Sequence, residues 1–432
     1  MRSNYRNRNK KRKNLIDSDQ KKLTKSLKIF IFILLILLIF TAVFYYLKNY
    51  ANYKNIVETS KQEIEDELKN NEEQNKEKDV KPEETDTTFT LTSIGDVMCH
   101  NTQYWDAYDK NTNTYDFSYV FEDISLYTKT GDICIGNIET SFAGEERGYS
   151  NYPTFNSPDS LAYNLKNIGI DVITTAGNHC LDMGFSGLSR TIDVLDDADI
   201  AHLGTYKTQE DQDKVFIKYV KGVKIAFIDY TYGTNGIPVP SDKPFCVNLI
   251  DKDLIKKHIE SAKEEGFDVL VACMHWGVEY RTTPSDEQEE LADFLFQNGV
   301  DIILGNHPHV LEPMEKRTIT LEDGSTKDGF VIYAHGNFIC DQNAENTRNS
   351  IILNLTITKH TDGKITIDKA NYVPIYMYKA NTSNLRKMKL IDIKKTIANY
   401  EEGKDSSTSE GLYNLLKTQL DKITSIVGPE IN

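Results

Sequence analysis

Val300–Pro313 reads Val-Asp-Ile-Ile-Leu-Gly-Asn-His-Pro-His-Val-Leu-Glu-Pro. Its apolar run (Ile302, Ile303, Leu304) stops at Gly305, and His307 and His309 follow with one proline between them. A short apolar run closed by a turn reads as a buried parallel strand. Gly305 lets the backbone turn sharply where the strand stops. Pro308 fixes its own φ and keeps His307 out of the helical region. Two imidazoles are thus set on a stiff turn at the carboxyl end of a strand, the edge where open α/β sheets place their ligands.

Working outward, the same alternation recurs from Phe89 onward. Strands are expected at Thr88–Ile94, Ile133–Ile135, Val172–Thr175, Val223–Tyr230, Val269–Met274, Val300–Leu304 and Phe330–Ala334. Amphipathic helices fall between them at Pro158–Ile168, Phe185–Leu195, Lys252–Glu264 and Ser285–Asn298. Ser157-Pro158 supplies an N-cap with proline in the first turn, and Ser285-Asp-Glu-Gln288 matches a capping box. Strands alternating with helices predict a parallel-rich α/β domain over 89–349. Beyond it, 350–432 reads as an extension, with a β-hairpin around Thr361-Asp-Gly and then mainly helix.

Upstream, Ile29–Leu47 is almost wholly apolar and long enough to cross a bilayer as a helix. The tail before it, 1–28, is rich in Lys and Arg, so the positive-inside rule places it in the cytoplasm and the rest outside the cell. A cleaved signal peptide would need a small-x-small site, whereas the flank reads Tyr-Tyr-Leu-Lys-Asn-Tyr. Residues 48–88 are rich in Glu, Lys, Asn and Gln, the composition of a flexible stalk. The expected localisation is therefore the cell membrane, with one N-terminal helix in the lipid bilayer and the remainder extracellular. Setting aside the 12 basic and 2 acidic residues of 1–50 leaves 38 basic and 63 acidic residues, a balance of −25. That balance excludes a broad nucleic-acid surface. The six cysteines form no Cys-x-x-Cys pair, and Cys134 and Cys273 lie inside apolar runs where a thiol acts as a small hydrophobe.

The polar residues of interest sit just past strand ends. Asp96 follows Ile94-Gly95 and is either a metal ligand or a helix cap, with His100 close behind. Asn137 and Glu139 alternate on an extended segment, so both can face one side. Glu139 is an oxygen donor or an exposed loop carboxylate. Ala176-Gly-Asn178-His179-Cys-Leu-Asp182-Met-Gly184 places an amide oxygen, a proton-transfer imidazole and an orienting carboxylate on one turn. Met274-His275-Trp276-Gly-Val-Glu279-Tyr280 adds an imidazole, with aromatic rings that can stack on a substrate or belong to the core. Tyr333-Ala-His335-Gly-Asn337 contributes Asn337 or His335. Five of the nine histidines thus fall just past strand ends. Mixed imidazole, carboxylate and amide donors suit Mn, Fe or Zn more than Ca.

Taken in order, Gly-Asp96, Asn137-Ile-Glu139, Gly-Asn178-His179-x-x-Asp182-x-Gly184, His275-Trp-Gly-x-Glu279-Tyr280, Gly-x-His307-Pro-His309-Val and His-Gly-Asn337-Phe338 resemble the CapA family. These are capsule-biosynthesis proteins linked to poly-γ-glutamate, with a calcineurin-like metallophosphoesterase fold. The resemblance runs from about Phe89 to Asn349 and extends to the tail, single span and external domain. It implies a four-layer αββα sandwich holding one or two divalent transition metal ions. Asn178, His275 and His307 would hold one ion and Asp96 and His309 the other, with Glu139 between them. His179, with Asp182, would steady the transition state or protonate a leaving group. Asn137, Trp276, Glu279, Tyr280 and Asn337 would face the substrate. Met98 stands where active phosphoesterases carry a histidine, and a thioether is a poor ligand for a hard cation. The implied partners are membrane-embedded polymer synthase or export subunits, and an anionic polymer or a phosphate ester. The implied function is assistance in capsular polymer synthesis or export. The other reading is a metal-dependent phosphoesterase acting on the cell envelope.

Overall fold

The computed structural model describes residues 85–320, 324–382 and 386–431. The tail, the apolar span and all but the end of the expected stalk lie outside these residues. Among the described residues no helix is long and apolar enough to cross a membrane.

Among the described residues sixteen strands occur. In chain order they are β1 Thr87–Val97, β2 Tyr108–Asp109, β3 Thr114–Tyr115, β4 Ile133–Ile138, β5 Val172–Thr174, β6 Ala201–Leu203, β7 Phe216–Val220 and β8 Val223–Thr231. There follow β9 Val269–His275, β10 Ile302–Asn306, β11 Met314–Thr320, β12 Thr326–Ile332, β13 Asn337–Ile339, β14 Asn349–Lys359, β15 Ile365–Lys379 and β16 Met388–Asp392. One sheet has the order β16-β15-β14-β1-β4-β5-β6, with β13 beside the end of β1. The other runs β11-β12-β10-β9-β8-β7, and β2 and β3 form a separate small hairpin. The β1-β4-β5-β6 and β8-β9-β10-β12 blocks are parallel.

Period-2 alternation explains the layering. Leu91, Ile133, Val172 and Leu203 of the first sheet share one cluster with Phe227, Val271, Leu304 and Ile332 of the second. The alternate residues Cys134 and Ile173 face outward onto Leu161, Leu165 and Leu195 of the helices Ser160–Asn167 and Gly184–Asp197. Ile303 and Leu270 likewise meet Ile255, Ile259, Leu291 and Leu295 of the helices Lys252–Glu265 and Asp286–Gln297. The result is helix, sheet, sheet, helix. Both faces of each central strand are buried, so these strands read as unbroken apolar runs.

Several boundaries differ from expectation. Thr87, assigned to the stalk, already pairs with Lys359 of β14, and Thr88, where stalk and first strand were expected to meet, pairs with Thr358. The segment after 349, set apart as an extension, is joined to the same sheet: β14 pairs antiparallel with β1 from Thr87 to Ile94. The capping box at Ser285 and Gln288 is present. Ser157 caps no helix; it is buried with its hydroxyl 2.6 Å from that of Thr140, and the helix starts at Ser160. All six cysteines are free thiols.

Candidate metal centre

The carboxyl ends of β1, β4, β5, β9 and β10 converge. Gly95 sets the approach of β1, because a Cβ there would lie 1.9 Å from the carbonyl oxygen of Gly336. Gly305 does the same for β10 against the carbonyl of Tyr333. Asp96 Oδ1 accepts from Asn137 Nδ2 at 2.7 Å, and Oδ2 accepts from the backbone N–H of His307 at 3.2 Å. The second bond ties the end of one sheet to the end of the other.

Around that tie the ligand-type atoms gather in three groups, each with atoms within 4.8 Å of one another. Glu139 groups with His275 and His307, and again with Asp96 and His309. Glu279, from an exposed turn, groups with His307 and His309. Glu139 Oε1 lies 3.7 Å from His275 Nε2, and Oε2 lies 3.6 Å from His309 Nδ1. His275 Nε2 is also 2.9 Å from Asn178 Oδ1. The structure thus brings Asp96, Glu139, Asn178, His275, His307 and His309 into one buried cluster, with Glu139 in the middle.

These groups are strained and unsatisfied. His307 has φ +100° and His309 +61°, conformations that cost a non-glycine residue roughly 1–3 kcal/mol each. Both oxygens of Glu139, His307 Nδ1 and Asn306 Oδ1 are buried without a hydrogen-bond partner. Each such group costs about 1–3 kcal/mol unless something meets it. Burial lifts the Asp96 carboxyl to about 7, and burial together with the Asp96 charge lifts Glu139 well above the usual range. Burial and the neighbouring imidazoles hold His275 well below its ordinary value, with His307 at about 3 and His309 at about 4. Neutral imidazoles present lone pairs, and crowded carboxylates seek a cation. The donor set therefore fits a divalent transition metal.

Beside the cluster, His179 Nδ1 lies 2.7 Å from Asp182 Oδ2. That oxygen also accepts from the backbone N–H of Phe155 at 2.6 Å, and the Phe155 ring stands edge-on to His179 at 4.8 Å. Glu279 and Tyr280 sit at the rim, Tyr280 with its ring 6.0 Å from His309.

Three residues expected to face substrate do other work. Asn137 is buried; its amide holds Asp96, and its oxygen accepts from Thr174 Oγ1 at 2.9 Å. Asn337 is fully buried, with Oδ1 3.1 Å from His309 Nδ1 and its amide donating to the carbonyls of His309 and Thr347. Trp276 is in the outer core, its indole donating to the Tyr333 carbonyl at 2.9 Å. Short amides and an indole beside strand ends found partners within the protein before reaching solvent. His335 is likewise a brace, bonded to Ser93 Oγ at 2.7 Å and the Gly305 carbonyl at 2.9 Å. His100 Nδ1 accepts from the Asp341 backbone N–H at 3.1 Å, and the Met98 sulfur receives Gln342 Nε2 at 3.8 Å.

Sequence reading passed over Tyr232 and Asn235. The Tyr232 ring lies 4.5 Å from that of His307. Asn235 Oδ1 accepts from Asn178 Nδ2 at 3.2 Å, and its Nδ2 is 3.3 Å from His179 Nε2. Thr231-Tyr-Gly-Thr-Asn-Gly has the strand-then-glycine pattern of the other site turns. It holds no histidine or acid to draw attention.

The profile of the bacterial capsule synthesis protein family, PGA_cap, matches residues 90–342, more than half of the chain. The chain is 29% identical over 275 residues to a capsule biosynthesis protein CapA of Bacillus anthracis, covering 61% of this chain and 63% of that one. It is 27% identical over 311 residues to the PGA biosynthesis protein CapA of Bacillus subtilis, covering 70% and 75%. The chain thus spans less than two thirds of the first of these relatives. Among solved structures it resembles the calcineurin-like phosphoesterase YfkN from Bacillus subtilis. The TM-score is 0.39 at 15% identity, covering 78% of this chain and 99% of that one. Every ligand-type residue of the cluster, from Asp96 to His309, lies inside the matched stretch, and the chain belongs to the bacterial capsule synthesis protein family.

Proposed function

We propose that this protein is an extracellular, membrane-anchored accessory factor for making or exporting a capsular polymer such as poly-γ-glutamate. It would be held by the apolar segment 29–47 and work beside membrane-embedded synthase or export subunits. The observation that carries this reading is the family match over 90–342, which encloses the whole ligand cluster. Deleting the gene is expected to reduce polymer amount, length or surface retention. Restoring it with a His275→Ala, His307→Ala double variant should fail to rescue. Unchanged polymer in the deletion strain would sink the proposal.

The His179–Asp182 pair beside the cluster favours a second reading, metal-dependent hydrolysis of an envelope phosphate ester. A divalent metal, when bound, supplies Lewis acidity toward a phosphoryl oxygen. Glu139, His275, His307, Asn178, Asp96 and His309 would hold one or two such ions. Asp182 holds the His179 ring through Nδ1, and a ring protonated at both nitrogens would hand the Nε2 proton to a leaving oxygen in place of its contact with the Asn235 amide. Asn137 and Asn337 keep Asp96 and His309 in place. The test is hydrolysis of phosphate mono- and diesters by the Mn²⁺-loaded protein, with His179→Ala as control. Activity no higher than in that control removes this reading.

A further inference from the structure

Asp96, Glu139, His275, His307 and His309 are all sealed from solvent. Glu279 is exposed, yet its carboxylate lies within 4.8 Å of ring nitrogens of both His307 and His309. Group membership shows where it stands. The two buried groups are Glu139 with His275 and His307, and Glu139 with Asp96 and His309. Glu139 belongs to both. Glu279 shares His307 with the first group and His309 with the second. It therefore spans the same two positions as Glu139, from the side that meets solvent.

The backbone places it there. The turn that leaves β9 is strapped to the turn that leaves β10 at two points. Trp276 N–H donates to the Asn306 carbonyl at 3.1 Å, and Tyr280 N–H donates to the Pro308 carbonyl at 2.8 Å. Pro308 is the residue between the two imidazoles, so the second strap sets the neighbour of Glu279 directly against them. Arg281 N–H closes the turn onto the Val278 carbonyl at 3.2 Å. Gly277 has φ +92°, and a Cβ there would lie 2.8 Å from the Gln288 side chain. Tyr280 has φ +65°, a region that a bulky side chain enters only when its surroundings hold it there. Strained residues thus stand on both facing turns, at Tyr280 and at His307 and His309.

Exposure decides what kind of ligand each acid can be. Both oxygens of Glu139 are buried without a hydrogen-bond partner, so a cation is what satisfies them. An exposed carboxylate regains its hydration when it lets go, so Glu279 can leave at little cost. A metal site that takes a substrate keeps one coordination position open to it. Glu279 fills such a position with the same chemistry, an anionic oxygen, that a carboxylate or phosphoryl group brings. Exchange of one for the other calls for no new counter-charge.

We infer that Glu279 is the exchangeable ligand of this centre: its carboxylate closes the site at rest, and an oxyanion of the substrate, carboxylate or phosphoryl, displaces it. The inference rests on the metal reading of the cluster and deepens it by naming the group that enters. The test uses the full chain in detergent, loaded with Co²⁺, whose visible absorption reports its ligands. The probes are γ-linked pentaglutamate and inorganic phosphate. At least one probe is expected to change the spectrum of the parent. Glu279→Gln should alter the resting spectrum before any probe is added, and weaken Co²⁺ binding by about tenfold or more in competition with a chelator. It should also tighten probe binding by about threefold or more, because no internal carboxylate has to leave first. Glu279→Asp keeps the charge at the mouth but withdraws the carboxylate by one methylene, and should behave as Glu279→Gln does. A response to pentaglutamate alone assigns the displacing group to the polymer, and a response to phosphate alone assigns it to a phosphate ester. A Glu279→Gln protein with the parent's spectrum and Co²⁺ affinity overturns the inference and leaves the metal centre standing. So does a Glu279→Asp protein that matches the parent, since charge at the rim then accounts for the effect. A metal-loaded parent that responds to neither probe also overturns it. A parent chain that takes up no Co²⁺ removes the metal centre and the inference with it.

Discussion

His307 and His335 invite comparison. Each follows a buried parallel strand, each lies within two residues of a glycine, and each is sealed from solvent. Yet the His335 ring is bonded at both nitrogens, to Ser93 Oγ and to the Gly305 carbonyl. His307 leaves Nδ1 buried without a partner, at a backbone angle that costs energy to hold. One imidazole is consumed by the fold; the other is kept in reserve by it. Position after a strand nominates a residue, and unspent bonding capacity among similar neighbours distinguishes a ligand from a brace.

The sharpest break of this comparison is the pair of substitutions His275→Ala and His307→Ala. Metal in the purified protein, measured by elemental analysis, is expected to fall at least tenfold from near-stoichiometric content. His335→Ala should do the reverse, keeping the metal and lowering stability in urea unfolding by roughly 2–4 kcal/mol, because buried partners lose their bonds. If His335→Ala strips the metal while the double variant retains it, the assignment is inverted. Asn337→Ala probes the group behind a ligand: metal affinity is expected to drop about 10- to 100-fold in competition with a chelator.

Glu312 supplies the intermediate case. Its Oε2 accepts from Gln288 at 2.6 Å while Oε1 has no partner, and it belongs to no ligand group. Burial holds its carboxyl at about 7 against 4.5 ordinarily. The folded protein therefore keeps this proton where the unfolded chain has released it. Stability falls as pH rises from 4.5 through 7. Glu312→Gln removes that loss, so thermal unfolding should match the parent at pH 4.5 and exceed it at pH 8 by about 1–2 kcal/mol. Equal pH profiles would show that this carboxyl is already relaxed by solvent.

Much of this was readable in the chain. Alternation in Ile302-Ile303-Leu304 and Ile133-Cys134-Ile135 carries the two-sided burial directly, and strand ends followed by glycine mark the site turns. Asn137 and Asn337, expected to face substrate, are bonded within the protein, and Trp276 takes the core place that was one of its two readings, for one reason. A sequence shows that a polar group exists near the site but not which neighbour has already bonded it. Tyr232 and Asn235 were missed because their turn lacks the residue types that chemistry flags. The joining of β14 to β1 could not be foreseen, since antiparallel pairing across some 260 residues leaves no local trace.

The bond from His307 to Asp96 has a consequence for synthesis. The two residues stand 211 positions apart, and His309 stands two beyond. No shorter N-terminal fragment holds the full set of donors. A nascent chain must therefore be made through β10, the fourth of the second sheet's six strands in chain order, before the donor set is complete. The donor set is thus complete in sequence before β11–β16 are made, and a chain truncated before residue 307 would hold Asp96 and Glu139 without His307 or His309.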